Sequence, residues 1–124
     1  MPVDDDRAQA AREASARRVL TESGAGELPR PPWLHRSQPP SSADLVHYTI
    51  WRDEASADEV LAALTLLPAM RAEAEQLETA VVFTARSKGL SWGRIARAMG
   101  LGSAQAAVQR FERLNGRAEA RGRT

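Results

Sequence analysis

The chain contains no cysteine. Disulfides, thiolate nucleophiles and cysteine-ligated zinc are therefore excluded. Aromatic residues are sparse at 5%, and Lys88 is the one lysine among 17 basic residues. No apolar run approaches the roughly 20 residues of a bilayer-spanning helix. The opening stretch, MPVDDDRAQAAREASARRVL, has an early acidic cluster and no apolar signal core. Export is not expected, and a cytoplasmic, nucleoid-associated protein is. There is no phosphate-cradling GxxxxGK loop, and Ser, His and Asp fall in no nucleophile motif. His35 and His47 lie twelve residues apart, without the carboxylate spacing of a metal site, and read as surface or edge residues. Neither an enzyme nor a metal or cofactor site is expected.

The 124 residues suit one small domain with flexible ends. Arginine and alanine dominate, a bias that fits a GC-rich coding sequence. The net charge of +1 conceals a partition. Residues 1–43 balance. Residues 44–83 hold eight acids against two bases, and residues 84–124 hold nine bases against two acids. A basic C-terminal third points to an anionic partner, nucleic acid first. A solvated surface with an internal charge complement is the plainer alternative.

Residues Asp4–Glu22 have helix-forming composition, with acids at the start and Arg17 and Arg18 near the end, matching the helix dipole. The apolar face is almost all alanine, with Val19 and Leu20 the only larger side chains. This segment has little to bury, so a marginal helix is expected, and residues 1–40 should be dispensable for folding. The stretch SGAGELPRPPWLHRSQPPSS reads as a linker, in which Trp33 and Leu34 dock on a partner, fold back on the domain or, as is more common for a linker aromatic, have no special role.

The predicted domain covers residues 43–116. ADLVHYTIWRDE fits a short helix or a short strand, and its helical neighbours favour the helix. Ser56 with Glu59 three residues on forms a capping-box signature, and Val60, Leu61, Leu64 and Leu67 then make one apolar stripe. Pro68 suits the first turn of the next helix. In that helix Met70, Ala74, Leu77 and Val81 recur at three-four spacing, broadened by Val82 and Phe83, with Glu73, Glu75 and Glu78 facing out and Gly89 as a left-handed stop.

The most informative stretch is GLSWGRIARAMGLGSAQAAVQRFERL, Gly89 to Leu114. Ser91 can cap a helix from Trp92 to Met99 with Ile95, Ala96 and Met99 inward. Leu101 is an apolar plug in the turn, Gly102 is expected at positive φ, and Ser103 caps a second helix from Ala104 to about Asn115. This is helix-turn-helix grammar over 91–115. At ~100° per residue, Ala104, Ala107, Val108, Phe111 and Leu114 gather on one face of the second helix. Gln105, Ala106, Gln109, Arg110, Arg113 and Arg117 lie opposite. Glutamine can bond adenine and arginine guanine in the major groove, and a small alanine lets the backbone approach. Trp92 is expected to pack the first helix onto the preceding one around Phe83.

The stretch resembles the helix-turn-helix of bacterial transcription regulators, especially region 4 of sigma-70-type factors and small actinobacterial helix-turn-helix proteins. The matching residues are Gly89-Leu90-Ser91, Ile95-Ala96, Met99-Gly100-Leu101, Ser103, Gln105, Ala107 and Arg110, with Leu67-Pro68 and the helix to Arg86 as support. The resemblance covers roughly residues 66–115. Gly102 departs from it as an extra turn residue, and no promoter-melting or polymerase-binding segment is visible.

The expected fold is all-α: a small helical domain with a C-terminal helix-turn-helix, a flexible N-terminal segment at 1–42 and a basic tail at 117–124. The expected function is sequence-influenced duplex DNA binding, as a transcriptional regulator or nucleoid-associated protein. Ser91, Trp92, Arg94, Arg97 and Arg86 would hold phosphates; Ser103 and Ala104 begin the reading helix; and Gln105, Gln109, Arg110 and Arg113 would face bases. One chain offers few base contacts, so a homodimer or tandem binding is expected, with RNA polymerase or a regulatory protein as further partners and no membrane. The alternative is a protein-interaction module using the basic C-terminal face or the acidic middle helices.

Overall fold

The computed structural model describes residues 2–30 and 38–122, all helical or irregular, with no strand among them. The protein is all-α. Trp33, Leu34 and His35 lie outside the described residues. Among the described residues no helix is long and apolar enough to cross a membrane. The chain divides into two compact units, Met1–Ala72 and Glu73–Thr124.

The first unit is built from α1 (Pro2–Glu22), a single 3-10 turn (Ala25–Glu27), α2 (Ser42–Trp51) and α3 (Ala57–Thr65). α1 is rich in strong helix formers and laced by Gln9–Glu13 and Arg12–Gln9 hydrogen bonds of 2.9 and 2.8 Å. It buries more than its composition suggested. Leu20 is fully buried, and Ala16 joins it in a core with Ala25, Leu45, Tyr48, Ala62 and Leu66. Small side chains are what bring helices close, so an alanine face is a packing face here.

Polar links tie the same elements together. Arg17 donates to the Pro40 carbonyl at 2.7 Å and to Ser42 Oγ at 3.0 Å, joining α1 to the start of α2. The Tyr48 hydroxyl donates to the Ser23 carbonyl at 2.8 Å. Arg52 donates to the Tyr48 hydroxyl at 3.0 Å and pairs with Glu59 at 2.5 Å. Gly24 has φ 132°, and a Cβ there would stand 2.7 Å from the Tyr48 hydroxyl. Glycine is what lets the chain turn against that ring.

In α3, Ser56 Oγ caps the first turn by accepting from the Glu59 amide at 3.2 Å. The large residues of the apolar stripe lie mostly at the surface. Val60, Leu61 and Leu64 are exposed, while Ala62, Ala63 and Leu66 are buried. The alanine side meets α1, because only small residues on both helices allow that approach. α4 (Leu67–Ser87) starts at once, with Pro68 in its first turn.

The second unit contains α4 from Glu73 on, α5 (Trp92–Met99) and α6 (Ala104–Gly122). Its core is Val82, Ile95, Ala96 and Ala107, with Ala85, Leu90, Trp92, Leu101 and Phe111 against it. Of the expected apolar face of α4, Val82 is buried, whereas Leu77, Val81 and Phe83 are 72%, 66% and 65% exposed. Met99, expected inward on α5, is also on the surface. α6 runs on to Gly122 rather than ending near Asn115, so the expected tail is mostly helix.

Candidate nucleic-acid interface

Two glycine turns of the same construction frame α5. At the end of α4, Leu90 N–H donates to the Ala85 carbonyl and Gly89 N–H to the Arg86 carbonyl, with Gly89 at φ 84°. At the end of α5, Leu101 N–H reaches the Ala96 carbonyl at 2.8 Å and Gly100 N–H the Arg97 carbonyl at 3.2 Å, with Gly100 at φ 75°. Both are Schellman stops, each followed by a leucine that packs back on the core. The positive φ expected at Gly102 is at Gly100 instead. The four-residue turn 100–103 thus opens with its left-handed residue.

Replacing Gly100 by valine is expected to destabilise the second unit by about 1–2 kcal/mol, the cost of a β-branched residue in left-handed backbone. Gly102→Val carries no such penalty, since neither φ nor a neighbour within 4 Å opposes it. Urea midpoints of the two variants check this; equal midpoints would show that Gly100 is unstrained.

Serines begin both helices of the corner. Ser91 Oγ accepts from the Arg94 amide and Ser103 Oγ from the Ala106 amide, each at 3.1 Å. Trp92 does not pack around the exposed Phe83. Its ring lies 5.8 Å from Phe111, and the Arg86 guanidinium sits over it at 5.1 Å. Arg86 also donates to the Leu90 carbonyl at 3.0 Å. It therefore secures the turn between α4 and α5.

The larger correction concerns α6. Arg110 was expected to face bases, but it forms a two-pronged pair with Glu78 of α4, one arm at 2.9 Å. Arg117 pairs with Glu75 at 2.9 Å. The hydrogen bonds from Arg110 hold the Glu78 carboxyl below its usual range, against the opposing effect of burial. The same bonds push the Arg110 guanidinium up. These glutamates, expected to face out, are half-buried. The signal in the sequence was an acidic edge on α4, Glu75 and Glu78, and a basic edge on α6, Arg110 and Arg117. The buried face of α6 is centred on Ala107 and Leu114, which rotates Arg110 and Arg117 toward α4.

The surface left on this corner consists of Arg94 and Arg97 on α5, Ser103 and Ala104 at the turn, and Gln105, Gln109, Glu112 and Arg113 on α6, all exposed. No hydrogen bond or ion pair engages the side chains of Arg94, Arg97, Gln105 or Gln109. Glu112 lies at the margin of this face, about 20° beyond Gln105 in angle. Ala106 is half-buried rather than outward. Residues 73–124 hold nine bases and five acids. Two of those acids, Glu75 and Glu78, are the partners of Arg117 and Arg110.

Sequence reasoning also missed a cleft of about 600 Å³ in the first unit, lined by Leu28, Pro29, Pro40, Tyr48, Ile50 and Trp51, with Arg30, Asp44 and His47 also on its wall. No group of His, Asp and Glu among the described residues is arranged to hold a metal ion. Comparison with protein-family models, with curated proteins and with solved structures finds no match to this chain.

Proposed function

We propose that the second unit is a helix-turn-helix module that binds duplex DNA, and that the protein acts by binding, as a transcriptional or nucleoid-associated regulator, rather than by catalysis. The observation that carries this reading is the division of labour on the corner's surface. Arg94 and Arg97 of α5 project as unpaired cations, while α6 offers two unpaired neutral amides, Gln105 and Gln109. Cations without acidic partners suit phosphates; glutamines suit base edges. The capped starts of α5 and α6 add backbone N–H groups where a phosphate can sit.

The reading is narrower than the sequence suggested. Arg110 and Arg117 pair with α4, which leaves Arg113 as the outward arginine among the described side chains of α6. The proposed contact set is therefore Ser91, Trp92, Arg94 and Arg97 for the backbone, with Ser103, Ala104, Gln105, Gln109 and Arg113 toward the groove. Titration of a labelled mixed-sequence duplex at low salt tests the proposal. Saturable binding is expected, and none at any protein concentration would refute it. An acidic protein partner for the same cations is the competing outcome, recognisable by binding that needs arginine but not glutamine.

A further inference from the structure

Two arginines of α6 stand where a groove-bound helix meets phosphates, and acids of the same unit hold both. At ~100° per residue, Arg110 lies about 100° round the helix from Gln109, and Arg117 about 80° round in the same direction. A helix ~10–12 Å across nearly fills a major groove ~12 Å wide. Residues about a quarter-turn from the base-facing direction therefore come beside the sugar-phosphate walls rather than the base edges. Arg110 and Arg117 share that shoulder of α6. Each bears a carboxylate there. Arg110 Nη2 donates to one Glu78 oxygen at 2.9 Å and its Nε to the other, and Arg117 donates to Glu75 at 2.9 Å. Arg113 lies near enough to add to the hold on the Glu78 carboxyl. All five residues belong to the second unit. The Arg110–Glu78 pair is no core contact: its side chains are 40% and 24% exposed, so a competing anion can reach it.

We propose that Glu78, seconded by Glu75, is an intramolecular substitute for DNA phosphate: it occupies the Arg110 guanidinium, withholds it from the duplex, and so lowers the sequence-independent affinity of this surface. The latch rests on the DNA reading and adds regulation to it. A carboxylate and a phosphate offer a guanidinium the same recognition, two anionic oxygens that accept a parallel pair of N–H bonds. Arg110 has one such fork, and Glu78 fills it. In the parent complex Arg110 therefore stays on Glu78, and it releases no counterion from the duplex. A clasp that only fixed α6 for base reading would have the opposite sign, because its removal would weaken binding.

Glu78→Gln should bind a labelled mixed-sequence duplex about eightfold more tightly than the parent at ~0.1 M salt, with a salt slope steeper by about 0.9, the signature of one added phosphate contact. Glu78→Ala, which removes the acceptor altogether, should do the same. Both should keep the parent's helical circular-dichroism spectrum. Losing any negative charge raises affinity somewhat, so Arg110 supplies the control. In an Arg110→Gln background the gain from Glu78→Gln should shrink below about twofold, the limit for independent sites, with the slope unchanged. The pair is also read without nucleic acid: the Arg110 Nε–H proton signal should resist solvent exchange in the parent and lose that protection in Glu78→Ala. Binding by the parent with no gain in either Glu78 variant overturns the latch and leaves the DNA reading standing. So does weaker binding by those variants, an equal gain in the Arg110→Gln background, or an unprotected Arg110 in the parent. No duplex binding by the parent or by either Glu78 variant overturns both.

Discussion

Leu20→Ala is expected to destabilise the first unit by about 3 kcal/mol, the middle of the range for emptying a fully buried leucine site. Leu20 has no exposed surface and lies among Leu45, Tyr48 and Leu66. Its neighbours belong to α2, α3 and the turn before α4, so the cavity cannot close by movement of α1 alone. Hydrogen exchange of the α1–α3 amides reads the loss directly, since slow exchange there reports the opening of the unit. Protection should fall by roughly a hundredfold, the factor that corresponds to such a change in free energy. Removing α1 altogether should abolish that protection. Unchanged protection in Leu20→Ala would mean that α1 is an accessory helix, as its alanine-rich sequence suggested.

The second large effect separates base reading from charge. Gln109→Ala should weaken binding to a preferred duplex by about 1–3 kcal/mol and leave binding to random DNA almost unchanged, because a neutral amide contributes through base edges alone. Arg97→Ala should weaken both by similar factors and flatten the salt dependence by about one contact. Both side chains are exposed and unpaired, so neither change disturbs the fold. Paired titrations of the two variants on the preferred and random duplexes give the ratio that decides. If Gln109→Ala leaves specific and non-specific binding in the parent's ratio, this face of α6 does not read bases.

Local chemistry was legible in the sequence. Ser56, Ser91 and Ser103 cap the helices they were expected to cap, and Gly89 stops α4 in the left-handed conformation. These rules involve neighbours in the chain. What failed required knowledge of the partner surface. On α3 and α4 the sequence shows bulky three-four stripes, yet Leu61, Leu64, Leu77 and Val81 are exposed, while Ala62 and Ala63 on α3 and Val82 on α4 are buried. Periodicity shows that a helix has an apolar face; it does not show whether that face meets the same chain or another molecule. Arg110 illustrates the same point at the candidate site. Its angular position differs from that of Gln109 by one residue, and the small rotation set by Ala107 and Leu114 turns it from solvent to Glu78. At Gly102 the error was smaller: the left-handed residue is the first glycine of the turn, because the Schellman hydrogen bonds must close on Ala96 and Arg97.

The most direct test of the central claim is fluorescence anisotropy of a labelled duplex across a salt series, repeated with an unstructured polyanion, polyglutamate, as competitor. If Arg94 and Arg97 each neutralise a phosphate, log affinity should fall against log salt with a slope near −2, at about −0.9 per contact. The duplex should also resist displacement by polyglutamate at equal charge. A slope near zero, or displacement by the polyanion charge for charge, would contradict the assignment of the α5–α6 surface to DNA.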